Sequence, residues 1–484
     1  MLFNSFIFIL LFFPICLLGY FALNRLHYYR IALVFLIGMS LWFYGYFNPW
    51  YLIVIVSSVL INYAIFRMMN WRTLSAYRKL LMITGVGINI AILGYFKYMD
   101  FFISTVNDIF DSDIALLNIV LPLGISFFTF QQISFVVDAY KREVPQYGFV
   151  EYVCYVSYFP QLIAGPIVTH DELIPQLLEE RRKQFDWDNF AKGVYLFSLG
   201  LAKKVLLADT FGNAVNEGYS HIATLSALDA LILIFSYAMQ IYFDFSGYCD
   251  MAIAIAKMMN IDLPVNFNSP YKAQNISEFW DRWHMTLTRF LTKYVYIPLG
   301  GNRLGKIRTY VNILLVFLIS GIWHGAGYTF IVWGIGHGVC TMLYRVGRKV
   351  FDKIPKVINM LYNFVIVSIL WVFFRADKIG DAIDLLSRLF VGKWNEIDSL
   401  IVCNFDRTEF LTIMNTFPLL QRIPCFTLIL FVIGAIYFSF FADNAIERMR
   451  KFTPKVSNIV TTLFLLLWSV LSITGISTFL YFNF

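Results

Sequence analysis

Long apolar runs separated by short polar breaks make up most of this chain of 484 residues. Five runs lie in its first third, at 1–23, 31–46, 50–66, 80–97 and 115–137. Others follow at 190–207, 226–247, 357–374, 424–441 and 457–476, with a shorter one at 251–259. A helix needs about 20 apolar residues to cross a bilayer, whereas a membrane barrel would show alternating strands of about ten residues. The pattern predicts an all-α polytopic membrane protein with about 11–13 membrane segments, some of them re-entrant or short.

The polar breaks between the first five runs alternate in charge. Basic residues follow the first, third and fifth runs, whereas 100–113 carries four aspartates. Basic connectors remain in the cytosol, so Met1 is expected outside. The first run lacks a basic start and is too long for a signal peptide, so it is predicted as a transmembrane helix.

Residues 149–168 interrupt this alternation. Basic residues occur both before the segment (Lys141, Arg142) and after it (181–183), so it should leave and return on one side. It is too short for two crossings and contains Pro160 and Pro166. A re-entrant or interfacial segment is therefore predicted.

Composition agrees with a lipid environment. Charged residues are 14% of the chain and hydrophobic ones 59%, against about 25% charged in soluble proteins. The net charge of +7 is scattered through connectors, which indicates membrane orientation and gives no reason to expect nucleic acid as a partner. None of the six cysteines lies in a C-x-x-C pair, so a metal site is not expected.

Polar chemistry is concentrated in residues 264–338, which hold three of the six histidines. His324 stands in an apolar run, in the sequence Gly-Ile-Trp-His-Gly. Basic residues on both sides of 311–344 predict a short excursion from the cytosol and back. Its first arm, 311–323, is about 20 Å of helix, which puts His324 past the middle of a ~30 Å hydrocarbon core. An imidazole at that depth is by default a functional candidate, here a general base; a structural imidazole bonded to a carbonyl is the alternative.

Three further residues have two interpretations each. His284 ends an aromatic and charged segment, 278–284, that suits an interfacial helix. His337 suits a polar contact between helices. Asp244 could line the same cavity as His324, or could act with Asp250 as a cap for a helix over 251–259.

Four blocks of the central stretch carry a family pattern: 267–271 (Phe-Asn-Ser-Pro-Tyr), 278–284 (Glu-Phe-Trp-Asp-Arg-Trp-His), 296–303 (Tyr-Ile-Pro-Leu-Gly-Gly-Asn-Arg) and 321–325 (Gly-Ile-Trp-His-Gly). They resemble the membrane-bound O-acyltransferase family, in its bacterial polysaccharide branch. Further matching segments lie at 121–128, 159–166, 242–250 and 373–376. The chain is accordingly predicted to be one domain, 1–484, with a core at 115–377 and, over 378–484, a polar connector plus two helices.

The resemblance implies acyl transfer to a hydroxyl through a buried tunnel, with His324 catalytic and His284 as the second catalytic position. Further residues in and near these blocks become candidates for lining the tunnel or contacting substrate: Trp323, Asp244, Asn275, Trp280, Arg282, Trp283, Asn302 and His337. No bound cofactor or metal is implied. The expected donor is acetyl-CoA or a carrier-protein thioester in the cytosol of a bacterium, with the enzyme in the plasma membrane.

The implied acceptor is an extracytoplasmic polysaccharide, alginate or similar, and a separate extracytoplasmic protein could accept the acetyl group or bind the glycan. Peptidoglycan O-acetylation and teichoic acid D-alanylation are alternatives with the same chemistry. A glycan or acyl-carrier transporter, with the histidines in a proton relay, is a rival of a different class, although the chain shows no internal repeat. An inactive scaffold is the third possibility.

Overall fold

The computed structural model describes residues 1–417, 419–473 and 479–480, and these contain helices and no strand. Six helices are long and apolar enough to cross a membrane: Phe8–Arg25, Tyr51–Met69, Arg72–Phe110, Ala227–Met258, Lys306–His324 and Lys356–Arg375. Three shorter apolar helices accompany them: Tyr29–Gly45, Phe426–Phe441 and Val456–Leu471. The prediction of an all-helical, multi-pass protein is confirmed, while the number of membrane segments stays a prediction.

The α-helices are numbered in chain order. The first twelve are α1 (Phe13–Arg25), α2 (Tyr29–Gly45), α3 (Tyr51–Met69), α4 (Arg78–Leu93), α5 (Met99–Phe110), α6 (Ile125–Tyr140), α7 (Phe149–Ser157), α8 (Phe159–Leu162), α9 (His170–Leu178), α10 (Trp187–Ala202), α11 (Asp209–Ser220) and α12 (Ala227–Met258). The remainder are α13 (Ile276–Arg282), α14 (Met285–Leu291), α15 (Lys306–His324), α16 (Tyr328–Phe351), α17 (Lys356–Arg375), α18 (Ile379–Val391), α19 (Ser399–Val402), α20 (Thr408–Thr416), α21 (Phe426–Ile436), α22 (Ala445–Arg450) and α23 (Val456–Leu471). Short π-helical turns at Gly94–Tyr98 and Lys203–Ala208 join α4 to α5 and α10 to α11.

Helix α12 is the central element of the fold. Its 32 residues begin at a capping box in which Ser226 and Asp229 bond each other's backbone. Gly247 lies against Gly200 of α10 so closely that a Cβ on either would come within 2.8 Å of the other's carbonyl oxygen. The predicted separation into 226–247 and 251–259 is therefore wrong, because Gly247 serves helix packing and does not end the helix.

The loop between α5 and α6 corrects a second prediction. The run 80–97 continues as helix to Phe110, and 111–124 is irregular, so the predicted helix over 115–137 begins only at Ile125. The Asp100 carboxylate accepts hydrogen bonds from the backbone of Leu117 (2.7 Å) and Ile119 (3.0 Å), which folds this loop back onto α5. Gly124 ends the loop at φ +70°, a conformation that favours glycine.

The segment 149–168 forms two short helices, α7 and α8, with a break before Pro160. The nine residues of α7 extend about 14 Å, too short to cross a bilayer. Their interior faces are buried and pack against α2. This geometry agrees with a segment that does not cross.

Helices α15 and α16 form an antiparallel hairpin. A Cβ at Gly321 would lie 2.4 Å from the Phe330 carbonyl oxygen, and one at Gly334 would lie 2.5 Å from that of Phe317, so the two backbones are in contact. Helix α15 starts at Lys306 and its 19 residues extend about 28 Å. The predicted first arm of about 20 Å, counted from residue 311, is therefore too short, because residues 306–310 belong to the helix; how far the hairpin extends into a membrane stays a prediction. His324 remains at the hairpin tip.

The polar connector over 378–421 contains three helices, α18 to α20, that sequence reasoning did not predict. Helices α22 and α23 then return to pack against α10. The last helix was predicted to reach residue 476; its described part ends at Leu471, and 474–476 lie outside the described residues.

Candidate active site

His324 is the last residue of α15 and is almost fully buried. Its Nδ1 lies 2.7 Å from the carbonyl oxygen of Ser320. A carbonyl can only accept, so Nδ1 carries the proton and Nε2 is the basic atom of the neutral ring. The rings of Trp323, Trp333 and Phe374 surround the imidazole, with centroids at 4.9, 4.9 and 5.4 Å. The arrangement holds one ring orientation and one tautomer.

Two side chains from the first half of the chain hold the carboxyl end of α15. Lys97 Nζ donates to the carbonyl oxygens of Trp323 (2.6 Å) and His324 (3.0 Å), and the Tyr98 hydroxyl donates to that of Ile322 (2.7 Å). The last carbonyls of a helix have no partner within the helix, and hydrocarbon supplies no water to replace one. A cation is also favourable at a helix carboxyl end. Sequence reasoning missed Lys97, although a lysine inside the apolar run 80–97 was a usable signal.

His284 lies in the core beside His324 and is fully buried. Its backbone is left-handed (φ +45°), which is uncommon for a residue with a side chain and is sustained only by its surroundings. Its Nδ1 lies 3.1 Å from Asn266 Oδ1, which also accepts from the backbone N–H (3.2 Å) and hydroxyl (2.9 Å) of Thr286. Asn266 thus orients the imidazole with Nδ1 protonated. The interfacial position considered for His284 is wrong, because α13 ends at Arg282 and the chain then turns inward.

The structure brings three histidines together. The rings of His284 and His324 are 6.3 Å apart, and Trp333 lies 4.9 Å from both His324 and His337. His337 Nδ1 accepts from the indole N–H of Trp280 at 3.3 Å, so its proton is on Nε2, the opposite tautomer from His324. His337 therefore does pack between helices, as proposed from the sequence, and lies within the same aromatic cluster.

The other predicted residues divide into two groups. Trp280, Trp283 and Trp323 lie in the aromatic cluster, where Trp283 stacks on Phe279 (5.5 Å) and Trp323 donates to the Ser126 carbonyl (3.4 Å). The remaining three are placed elsewhere: Arg282 pairs with Glu278 at 2.9 Å, Asn275 caps the start of α13, and Asn302 is exposed in the turn before α15. A direct role in the reaction stays a prediction for every one of them.

Asp244 lies in the middle of α12 in a buried ion cluster. Lys204 Nζ bridges the carboxylates of Asp244 (2.7 Å) and Asp209 (2.9 Å), and the backbone N–H of Leu480 donates to Asp244 (2.8 Å). Asp250 forms a separate pair with Lys203 at 2.6 Å. The capping alternative for Asp244 and Asp250 is wrong, because both residues lie inside one continuous helix.

Two cavities that share no lining residue lie beside this region. We call the first the tip cavity: about 640 Å³, lined by Asp244, Lys204, Gln240, the hairpin turn at 326–327 and Arg375, and separated from His324 by Phe374. The second, the basic cavity, measures about 430 Å³ and is lined by Trp280, Met285, Arg289 and Lys293, among others. Phe374, which contacts His324, lines the first cavity, and Trp280, which contacts His337, lines the second.

The cations of the basic cavity are held by neighbouring carboxylates. Lys293 lies 3.0 Å from Asp138, and Arg289 contacts Glu172 through both guanidinium nitrogens. Partial burial by itself lowers the pKa of Lys293, but Asp138 and Glu143 outweigh it and raise the pKa above its ordinary value. Lys293 therefore stays charged at neutral pH.

Among the residues that the structure describes, no three or more His, Cys, Asp and Glu side chains form a group that could hold a metal ion. A third, small cleft of about 30 Å³ adjoins His324 and is lined also by Lys97 and Gly124. That volume accepts one or two water molecules or a group of similar size.

Comparison with known proteins identifies this arrangement. The sequence model of MBOAT, the membrane-bound O-acyltransferase family, matches residues 121–376. The chain belongs to this family. His284 and His324 lie inside the matched region, whereas Lys97 and Tyr98 precede it.

Curated relatives extend the likeness over the whole chain. A peptidoglycan O-acetyltransferase of Helicobacter pylori is 39% identical over 100% of this chain and 98% of its own length. A probable alginate O-acetylase AlgI of Pseudomonas aeruginosa is 35% identical over 81% of this chain and 76% of its own length. A teichoic acid D-alanyltransferase of Bacillus subtilis is 26% identical over 48% of this chain and 61% of its own length. The chain is an O-acyltransferase, embedded in a membrane through several helices.

Proposed function

We propose that this O-acyltransferase moves an acetyl group from a cytosolic thioester to a hydroxyl of an extracytoplasmic glycan. The observation that carries the proposal is the position of His324, with its basic Nε2, in a buried cluster whose neighbouring side chains line two separate cavities. The sequence argument named alginate or a similar polysaccharide first and peptidoglycan as an alternative. Peptidoglycan is now favoured, because the peptidoglycan-acetylating relative aligns over essentially its full length and this whole chain.

Alginate or a similar exopolysaccharide is the second candidate. It is supported by relatives whose printed names describe alginate O-acetylases, at 35% identity over 81% of this chain. D-alanyl transfer is less well supported, since that relative matches only 48% of the chain.

The proposed reaction forms one ester and breaks one thioester. The acceptor oxygen attacks the acetyl carbonyl carbon while its proton passes to Nε2 of His324. The thiolate then leaves and takes up a proton, so that His324 returns to its neutral form. Asn266 holds His284 beside this centre, where its ring positions the acetyl group or shares the proton.

The donor is proposed to come through the basic cavity. The connectors nearest to it carry the basic residues that the positive-inside rule assigns to the cytosol. Arg289 and Lys293 line it, and the N–H donors that Glu172 and Asp138 leave unused can bind the phosphates of acetyl-CoA or of a phosphopantetheine carrier. This orientation leaves Met1 outside the plasma membrane and the hairpin tip near the outer face.

The acceptor is proposed to enter through the tip cavity, whose lining is polar. A volume of about 640 Å³ lies within the usual range of roughly 300–1,000 Å³ for small-molecule sites. A separate extracytoplasmic protein that receives the acetyl group or presents the glycan is a further part of the proposal.

The proposal is tested with the purified full-length protein in proteoliposomes, with acetyl-labelled acetyl-CoA on one side. Glycan fragments from peptidoglycan and oligomers of alginate are supplied separately on the other side. We expect label to appear as glycan ester with the wild type, to disappear with His324→Gln, and to persist with His27→Gln, which changes an exposed histidine. Equal ester formation by His324→Gln and the wild type would exclude the proposed base.

A further inference from the structure

The C-terminal helices enclose an apolar cavity that the proposed reaction does not use. This cavity, which we call the lipid slot, measures about 480 Å³ and lies between the α10–α12 pair and α21 to α23. Leu206 and Phe243 form its inner wall, and Phe431, Phe438 and Leu465 its outer wall. The inner wall lies within the region matched by the family model, residues 121–376, whereas the outer wall lies beyond it, after residue 400.

The two ends of the slot are polar, and along α23 its lining extends from Thr461 to Trp468, about 10 Å of helix. At the end nearest Leu471, Glu409 accepts hydrogen bonds from Trp468 (2.8 Å) and Ser472 (3.0 Å), and Arg407 donates to Thr210 (3.0 Å). The charges of this end are therefore matched by protein groups. This end of the slot therefore gives no reason to expect a charged ligand.

At the other end of the slot, the charged side chains are not all paired with one another. Asp443 is bound to Lys451 at 2.7 Å, a bond that lowers the pKa of Asp443. Asn444 serves as the cap of α22 through Glu447. Arg448 lines the slot between them and makes no side-chain hydrogen bond or ion pair within the described part of the chain.

Gly434 leaves open space in the slot, because glycine has no side chain to fill it. It lies in the interior of α21, where glycine is less favourable than alanine, and a Cβ there would meet no atom within 4 Å. An apolar volume of this size does not hold water, because water needs two to four polar partners. In a bilayer, hydrocarbon chains are the available material of matching polarity.

We propose that a membrane phospholipid occupies the lipid slot, with an acyl chain along α21 and α23 and its phosphate on Arg448. The planar guanidinium of arginine binds phosphate oxygens in a bidentate manner, and Arg448 lies at the slot end that carries the basic residues following α22. The lipid belongs to the leaflet on that face. This inference does not depend on the proposed acyl transfer.

The test measures phospholipid retained by the full-length protein after purification in a mild detergent, by native mass spectrometry and by phosphorus content. Gly434→Phe fills the slot, and Arg448→Gln removes the cation while keeping a polar side chain. Gly38→Phe, at another helix glycine with open space around its Cβ, and Arg450→Gln, on the same short helix as Arg448, are the matched controls. Size-exclusion chromatography confirms that each variant is folded.

We expect about one phospholipid per chain in the wild type and both controls, and at least a tenfold loss in Gly434→Phe and Arg448→Gln. If Gly434→Phe does not fold, Arg448→Gln alone decides, together with titration of the delipidated protein with phosphatidylglycerol. Equal retention in all variants would overturn the proposal. So would retention of a lipid without phosphate.

Discussion

The ammonium group of Lys97 donates a hydrogen bond to the carbonyl oxygen of His324, with 3.0 Å between nitrogen and oxygen. This contact joins residues 227 positions apart, because α4 and α5 pass beside the tip of the α15–α16 hairpin. It fixes the backbone of the catalytic candidate and not its ring. Lys97 is therefore a positioning residue rather than a catalytic one.

Lys97→Met should lower kcat by about 100-fold, since a displacement near 1 Å at a reacting group has that effect. The KM of the acetyl donor should change little, because Lys97 lies away from the basic cavity. Lys79→Met, which removes an exposed lysine at the start of α4, is the control. Steady-state kinetics separates the two parameters. Partial recovery in Lys97→Arg would support positioning, whereas a rise in KM alone would contradict it.

His324→Gln and His284→Gln should each reduce transfer by about 10²- to 10⁴-fold, the usual contribution of a positioned proton-transfer group. Because the rings lie 6.3 Å apart, the double variant should lose much less than the product of the single effects. The measurement is a double-mutant cycle of labelled ester formation. Strictly multiplicative losses would show that the two imidazoles act independently.

Asn266→Leu should reproduce most of the His284→Gln defect. Its Oδ1 holds the His284 ring and two groups of Thr286, so the leucine removes the acceptor that fixes the tautomer. Asn48→Leu, which removes the side-chain acceptor of the Trp50 backbone N–H in the turn before α3, controls for general loss of stability. Full activity in Asn266→Leu, measured by the same ester assay, would contradict this role.

Lys204→Met should destabilise the protein by about 3–5 kcal/mol, the usual result of removing one partner from a buried ion cluster. The loss arises because the carboxylates of Asp209 and Asp244 then face each other without a cation. Adding Asp244→Asn should recover part of it. Thermal unfolding in detergent checks both variants, with Lys192→Met, in an exposed pair with Asp188, as the control. A double variant less stable than Lys204→Met would be inconsistent with this account.

Gln240→Leu should raise the KM for the glycan acceptor about tenfold and leave donor hydrolysis unchanged. Gln240 lines the tip cavity, and its buried Oε1 has no hydrogen-bond partner among the described residues. A buried acceptor left without a partner is costly, which indicates that a ligand supplies the donor. Asn395→Leu, in the exposed loop before α19, is the control for kinetic assays with peptidoglycan fragments. An unchanged acceptor KM would remove Gln240 from the binding site.

The apolar pattern located the ends of several helices closely, because lipid favours apolar side chains throughout a membrane-spanning helix. The run 357–374 became Lys356–Arg375, and the run 50–66 became Tyr51–Met69. The pattern failed where hydrogen bonds and packing between distant residues determine the course of the chain. The Asp100 carboxylate folds an apolar loop that resembles a helix in sequence, and Gly247 packs against another glycine where glycine usually indicates a break.

The site was predictable to the extent that its chemistry is unusual for a membrane. His324 stood out because an imidazole in an apolar run is energetically costly unless it has a function or a polar partner. The same reasoning applied to Lys97 would have marked it as a residue with such a partner. Asn266 could not be found in this way, since nothing in its neighbourhood distinguishes it from a loop asparagine. Its role depends on a left-handed turn at His284 that only the fold reveals.

The contact between Gly321 and Gly334 has a consequence for how a group could cross the membrane. Because neither glycine has a side chain, the two backbones touch directly at this point. No layer of side chains lies between α15 and α16 there along which the helices could slide or separate. A transporter that opens its binding site first to one side of the membrane and then to the other needs helices that slide or separate. We therefore expect the two helices to move as one unit, and an acyl group to pass them by exchange of covalent bonds and not by alternating exposure of a binding site.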